Sequence, residues 1–338
     1  MGTGLDIIIL GTGPAASAAA ITAADAGLRV AMIAHAKKKT DLCDEPLQSI
    51  HPGLETLLAS LGAEQAITYA AKGSYEGILT AGEYQPLSTI EDERWKGHHI
   101  SKFRFDDYLA FCVRKRTVEI IDGDDVTGLT PGRVSLRSDR CLNTRYIIDA
   151  SGRARIAGKM LKVREQIYSP PLTTWSGVAH EIPNNIATSL QTAFIPESFG
   201  WTWLAPHLTN SCTWTRLAVT KREKLTPPDL LVAAGYHSPV ISASMRWRLF
   251  NRLVLENHIL LAGDAAGLLD PAAGQGILRA CWSGIMAARS VVAIINSGVR
   301  PGVALDAYED WFNTDYHRTA AKLKSHYEQL GIIFPGNA

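Results

Sequence analysis

Asp6-Ile-Ile-Ile-Leu10-Gly11-Thr12-Gly13-Pro14-Ala15-Ala16 is the stretch on which the reading of the whole chain turns. Its β-branched run predicts a short strand buried on both faces of a parallel sheet. Glycines at 11 and 13 follow at once, and an alanine-rich run to Ala26 predicts a helix that Gly27 closes. Residues 28–34 predict a second apolar strand, which completes one βαβ unit. In such a unit Gly11 permits the tight turn and Gly13 lets backbone N–H groups approach a pyrophosphate. Ala16 allows close packing of helix on strand. Pro14 and Ala15 open the helix, whose N-terminus offers partial positive charge to phosphates. The arrangement reads as a dinucleotide-binding loop.

One position departs from that pattern. An acidic residue ordinarily ends the second strand and accepts hydrogen bonds from the adenosine ribose. Here the position falls on Ala34 or His35. The ribose contact is absent, taken over by His35, or made by backbone, and the dinucleotide is expected to be held more loosely.

A second glycine-rich segment stands far along the chain: Leu261-Ala-Gly263-Asp264-Ala-Ala-Gly267, then Asp270-Pro271-Ala-Ala-Gly274-Gln275-Gly276-Ile277. A strand–Gly–Asp turn lets Asp264 reach a cofactor hydroxyl beside the pyrophosphate. The glycines at 274 and 276 start a helix over 276–292, whose first amides would face a flavin pyrimidine ring. Reduced flavin carries negative charge near N1 and O2, which a helix N-terminus stabilises. Ala280, Gly284, Ala287 and Ala288 suit that helix to close packing.

Between these segments, Leu54, Leu57, Leu58 and Leu61 predict one helix face within 52–62, and 105–116 predicts another helix. Strands are expected at 118–121, 134–136 and 146–150, the last ending in Asp149-Ala-Ser-Gly152. From about 159 to 252 the character changes, with Pro170-Pro171, Pro227-Pro228 and tryptophans at 175, 201, 203, 214 and 247. Alternation around Trp201-Thr-Trp203-Leu and through 213–219 predicts antiparallel strands. A strand at 254–262 and helix over 303–329 follow. The expected fold is α/β: a Rossmann-like FAD-binding domain with an inserted antiparallel β-sheet substrate domain and C-terminal helices. The FAD-binding domain is discontinuous (1–158 and 251–300, with part of 70–105 on the substrate side). The substrate domain spans 159–250, and 301–338 is a C-terminal helical segment.

A formal net charge of +1 gives no electrostatic reason to expect nucleic acid as a partner. The run Lys37-Lys38-Lys39 reads as a solvated loop. No apolar run reaches the roughly 18 residues of a membrane span, so no membrane partner is expected. Five dispersed cysteines, with no CxxC pair, point to reduced thiols, a cytoplasmic location and no metal site. Cys43 has no partner histidine at recognisable spacing and reads as inert. His98-His99 reads as a surface pair, the alternative being an acid or base near the ring.

Taken in order, GxGPAA at 11–16, the segment 44–61, Asp149-Ala-Ser-Gly-Arg153 and GDAAG…DPxxGQGI at 263–277 resemble the FAD-dependent aromatic hydroxylases and flavin-dependent halogenases of the para-hydroxybenzoate hydroxylase fold. Asp44-Glu45-Pro46-Leu47 is similar to the GESL segment of the halogenase branch, with Gly and Ser replaced. Gly200-Trp-Thr-Trp-Leu-Ala-Pro206 resembles its GWxWxIP stretch, with Ala205 for Ile. The DPxxGQGI segment looks most like that of the flavoprotein maturases that hydroxylate a peptidyl tryptophan during tryptophylquinone cofactor assembly. Lys102 falls where the family has a cofactor-contacting Arg, and a Lys there binds as a point charge without the bidentate fork.

The resemblance implies FAD as cofactor, O2 as co-substrate, and an FAD-dependent monooxygenase that hydroxylates an aromatic group through a flavin C4a-hydroperoxide. The substrate is an aromatic small molecule or a protein presenting tryptophan. No second glycine-rich βαβ unit stands between 159 and 252, so electrons come from transiently bound NAD(P)H or a separate flavin reductase. By the family pattern Glu45 is an active-site carboxylate. Lys72 is a halogenase's hypohalous-acid lysine or an exposed loop lysine. Trp201 and Trp203 are walls over the flavin or plain core tryptophans, and Asp149 belongs to the cofactor side. The alternatives are a halogenase, a flavin reductase of the geranylgeranyl type, and a non-catalytic client-binding flavoprotein.

Overall fold

The computed structural model describes residues 4–34, 44–88, 95–219, 224–332 and 334. The first strand forms as Leu5–Leu10, with Ile7, Ile8 and Ile9 wholly buried. It runs parallel to Val30–Ala34 on one side and to Cys141–Asp149 on the other. The sheet continues outward through Val118–Asp122 at one edge and Ile259–Leu261 at the other. Continuous apolar runs are what a sheet covered on both faces requires.

The turn between first strand and first helix is tight for a steric reason. Gly11 sits at φ +108°, and a Cβ there would stand 2.6 Å from the Ala150 carbonyl oxygen. The helix Pro14–Asp25 follows, buried along most of its length by alanines. The helix Gly276–Ser297 crosses it so closely that a Cβ on Gly284 would lie 2.1 Å from the Ala15 carbonyl oxygen. The two glycine-rich segments, some 250 residues apart in sequence, are thereby brought side by side. By length and composition Gly276–Ser297 is apolar enough to cross a membrane. The expectation that no apolar run is long enough is thus corrected; one face of this helix packs into the core, with Ile277, Cys281, Ile285, Ala287, Ala288 and Val291 buried.

The middle of the chain forms an antiparallel sheet in the order Tyr236–His237, Leu172–His180, Cys212–Ala218, Gly200–Pro206, Ala193–Glu197, with Ile241–Met245 also on Leu172–His180. Gly77–Thr80 adds to it in parallel beside Ala193–Glu197 and carries Glu83–Pro86, so part of the 70–105 stretch joins this sheet.

Two expectations are corrected. The predicted strand at 254–262 is two short antiparallel strands, Val254–Leu255 and Ile259–Leu261, because Glu256 and Asn257 adopt left-handed φ values of 50° and 58° and reverse the chain. The helix expected over 52–62 is only Leu54–Ala59; Leu58 is its last core residue, and Leu61 packs from the turn after it.

The C-terminal helix Pro301–Gln329 lies along the second glycine-rich segment. Three of its buried tyrosines donate hydrogen bonds into that segment: Tyr308 to the Leu261 carbonyl (2.6 Å), Tyr316 to that of Leu268 (3.3 Å) and Tyr327 to the Asp270 carboxylate (3.0 Å).

Candidate functional site

At the C-terminal ends of the parallel strands, beside the loop of residues 11–13, lies an open cleft. Thr12 and Ser17 line it from the loop and first helix, Met32 and Ala34 from the second strand, and Ile120 and Asp122 from the edge strand. Helix Lys102–Arg114 forms the opposite wall. Pro14 occupies the first helical position, and no acidic side chain stands in the first turn to compete for its amides. A side chain at Gly13 would meet nothing within 4 Å, so the backbone there is open to a ligand. Ser17 Oγ is buried yet has no hydrogen-bond partner. His35, Lys37-Lys38-Lys39 and Cys43 lie outside the described residues.

Lys102 opens the wall helix and holds Asp106 at 2.5 Å. Glu45 ties down the same helix end: one carboxylate oxygen accepts from Ser101 Oγ at 2.6 Å, the other from the Phe103 amide at 3.0 Å. Ser101 is itself the N-cap, accepting from the Arg104 amide. The sequence located Glu45, but its carboxylate faces a helix terminus. Asp149 is likewise turned into the protein. It is fully buried and accepts from the Ser151 and Ala157 amides at 3.0 and 2.7 Å, and burial raises its carboxyl above the ordinary range.

Gly263, Asp264 and Ala265 form a single 3-10 turn. Burial raises the Asp264 carboxyl, while Arg248, Arg153, Arg279 and Lys102 around it pull the other way. Lys102 was expected on the cofactor side, whereas the three arginines were not anticipated, being scattered through the sequence. Arg248 donates to the Asp264 carbonyl at 3.1 Å, and burial pushes its guanidinium down to about 10.

Past it, Asp270 accepts from the Ala272 amide (2.8 Å), Trp247 Nε1 (2.7 Å) and the Tyr327 hydroxyl, which itself accepts from Trp201 Nε1 (2.8 Å). Burial raises the Asp270 carboxyl against the pull of those donors. Pro271 is exposed on the turn, Gly274 takes φ +59°, Gln275 stands at the start of the long helix without a side-chain capping bond, and Ile277 is buried in its first turn. Side chains at Gly274 or Gly276 would meet nothing within 4 Å, again leaving backbone open.

On the substrate-side sheet the two tryptophans part company. Trp201 is 2% exposed and belongs to the Asp270 network. Trp203 is half-buried and donates to Ser49 Oγ at 2.8 Å. Ser49 Oγ lies 2.8 Å from His99 Nδ1, and His99 Nε2 lies 2.8 Å from Thr192 Oγ1. Tyr75 stacks on His99 at 4.8 Å and meets Trp203 edge-on.

The expected surface pair is therefore corrected. His99 is wholly buried, because the strand Gly97–Ile100 is the middle of a three-stranded sheet. Burial first, then His207 and His98, hold its imidazole down to about 3. Lys72 is also not a loop residue. It is the extra residue of a β-bulge in Ala71–Tyr75, half-buried, with its carbonyl accepting from the Leu208 amide at 2.7 Å. Leu47 N donates to Thr213 Oγ1, which is also 2.9 Å from His207 Nε2, fastening the 44–47 segment to this sheet.

Open backbone at both glycine-rich segments, a buried hydroxyl without a partner in the cleft, and basic side chains around Asp264 fit an extended, phosphate-bearing dinucleotide such as FAD. The family description "Tryptophan halogenase" matches residues 66–330. The tryptophan 2-halogenase of Chondromyces crocatus is 23% identical over 95% of this chain and 67% of that protein. Among solved structures, a peptidyl tryptophan dihydroxylase essential for tryptophylquinone cofactor biogenesis aligns with TM-score 0.74 at 18% identity, over 97% of this chain and 76% of that one. A probable FAD-dependent monooxygenase from Pseudomonas aeruginosa aligns with TM-score 0.77 at 14% identity, over 94% of each chain.

Proposed function

This chain belongs to the tryptophan halogenase family, and we propose that it acts as an FAD-dependent monooxygenase placing oxygen on an indole- or phenol-like ring. A tryptophan side chain presented by a partner protein is the favoured substrate, by likeness to the peptidyl tryptophan dihydroxylase; an aromatic small molecule is the alternative. Bound FAD supplies the electrons and the activation of O2, replenished by NAD(P)H or a separate flavin reductase.

The chain's own part is to seat, enclose and aim. The first amides of helix Gly276–Ser297 would offer positive potential to a reduced flavin ring, which gathers negative charge. Asp264 would accept from the cofactor hydroxyls nearest the phosphates, and Lys102, paired with Asp106, would serve the phosphates as a point charge. Glu45 and Asp149 are positioning residues, the first for the helix that carries Lys102 and the second for the turn at 151–157.

The observation that carries the proposal is the wall behind the ring-side loop. Trp201, Trp247 and Tyr327 are each at most 2% exposed and are joined through hydrogen bonds to Asp270. Such a wall keeps bulk water from the reacting face, the protein's main task in oxygen chemistry.

Halogenation is the second reading, favoured by Lys72, half-buried in its bulge and near enough to His207 to help keep that imidazole uncharged. The reconstituted enzyme, with FAD, a flavin reductase, O2 and chloride or bromide, is offered tryptophan-containing peptides and free phenols and indoles. A product heavier by one oxygen supports the monooxygenase. Halogen incorporation abolished by Lys72→Ala establishes the second reading instead. Reductant consumed with every ring returned unchanged overturns both.

A further inference from the structure

We infer that Asp122, on the strand next to the one that ordinarily carries it, is the acidic anchor for the adenosine ribose of the bound dinucleotide. The inference rests on the flavoprotein reading and adds a residue to its cofactor site. The second strand ends at Ala34, whose methyl group accepts no hydrogen bond. Its parallel neighbour Val118–Asp122 is in a register that sets Asp122 directly beside Ala34 and Ile120 beside Met32. Paired residues of neighbouring strands present side chains on the same face, and residues two apart share that face. Met32, Ala34, Ile120 and Asp122 accordingly all line the one cleft that also holds Thr12 and Ser17.

A second, independent observation points to a polar ligand in that cleft. Ser17 is 1% exposed, lines the cleft, and its hydroxyl has no hydrogen-bond partner. A buried hydroxyl without a partner costs free energy that a ligand's polar groups would recover. The Asp122 side chain is exposed to the cleft and so is available to accept from vicinal hydroxyls. Moving the carboxylate one strand outward keeps it at the same height along the sheet, because the partners stand level in the ladder.

The experiment measures FAD affinity by flavin fluorescence for the wild type, Asp122→Asn and Asp107→Asn, the last a second exposed carboxylate of the cleft. ADP and 2′,3′-dideoxy-ADP are used as competitors. Loss of a charged acceptor predicts FAD and ADP binding weaker by about tenfold or more in Asp122→Asn, with Asp107→Asn unchanged. Dideoxy-ADP, lacking the hydroxyls, is expected to bind wild type and Asp122→Asn alike. Equal FAD affinity of Asp122→Asn and wild type, or a loss confined to Asp107→Asn, overturns the assignment. An equal loss for ADP and dideoxy-ADP overturns it too, by showing a general charge effect. A wild-type protein that binds no FAD sinks the flavoprotein reading itself, which is a separate outcome.

Discussion

Around the loop of residues 11–13 the cofactor cleft is walled by backbone and by side chains that consecutive strands lay down in ladder order, and one buried hydroxyl there is left unpaired. Around residues 263–277 the wall is drawn from distant parts of the chain, with Trp201, Trp247, Tyr308, Tyr316 and Tyr327 all hydrogen-bonded into or toward it. The first region is open and built to be completed by a ligand. The second is stiffened from behind by these hydrogen bonds, while the backbone at Gly274 and Gly276 stays open to a ligand. An enzyme that must admit a long cofactor yet keep water from its reactive end gains from that division, since stiffness is placed where the chemistry is.

The comparison breaks most thoroughly where the two regions touch. Gly284→Leu would drive a side chain into the Ala15 carbonyl, where even a Cβ lies 2.1 Å away. We expect a loss of about 3 kcal/mol or more. Thermal denaturation and FAD titration should both fall; a variant with native stability and affinity would show that the helices do not need this approach.

Next comes the stiffened region. Asp270→Ala leaves the Trp247 indole N–H, the Tyr327 hydroxyl proton and the Ala272 amide without their acceptor, and is expected to cost about 3 kcal/mol in urea unfolding. If the loss were under about 1 kcal/mol, the region would not be stiffened by these hydrogen bonds.

The dryness of the substrate-side wall can be read in acid. Burial holds His99 down to about 3 and His207 to about 4, against 6.5 for an unperturbed imidazole. Between pH 4 and 6.5 the unfolded chain therefore binds protons at these two sites that the native protein does not. Stability is full above 6.5 and falls as pH drops through that window, by up to about 1.4 kcal/mol per pH unit for each histidine. In His99→Gln the slope should lessen by one histidine's share, measured as urea midpoint against pH. An unaltered slope would mean that His99 is not held neutral by burial.

How far the sequence reaches differs with the range of the cause. The βαβ unit at 6–34, the absent acid at 34 and the close-packing Gly284 were legible, because a strand's apolar run, a glycine's left-handed φ and a small residue at a helix crossing are each set within a few positions. Glu45, Asp149 and Lys72 were legible as positions and residue types only. Their orientation depends on which backbone amides or strands arrive beside them, and the chain does not announce a bulge at Lys72 or a helix end at Ser101. His99 was misjudged because two strands distant in sequence, Gln48–Ile50 and Ala71–Tyr75, flank it.

The sequence by itself determined the strand–loop–helix that opens the chain, the second glycine-rich segment, and the antiparallel middle, all through local backbone preference and periodicity. Only the tertiary structure decided that Trp201, Trp247 and Tyr327 converge on Asp270, that four basic side chains gather around Asp264, and that Asp122 stands level with Ala34. The physical reason is the same in each case: a buried polar group must find its partner wherever the fold brings one, and sheet register places neighbours that sequence spacing does not.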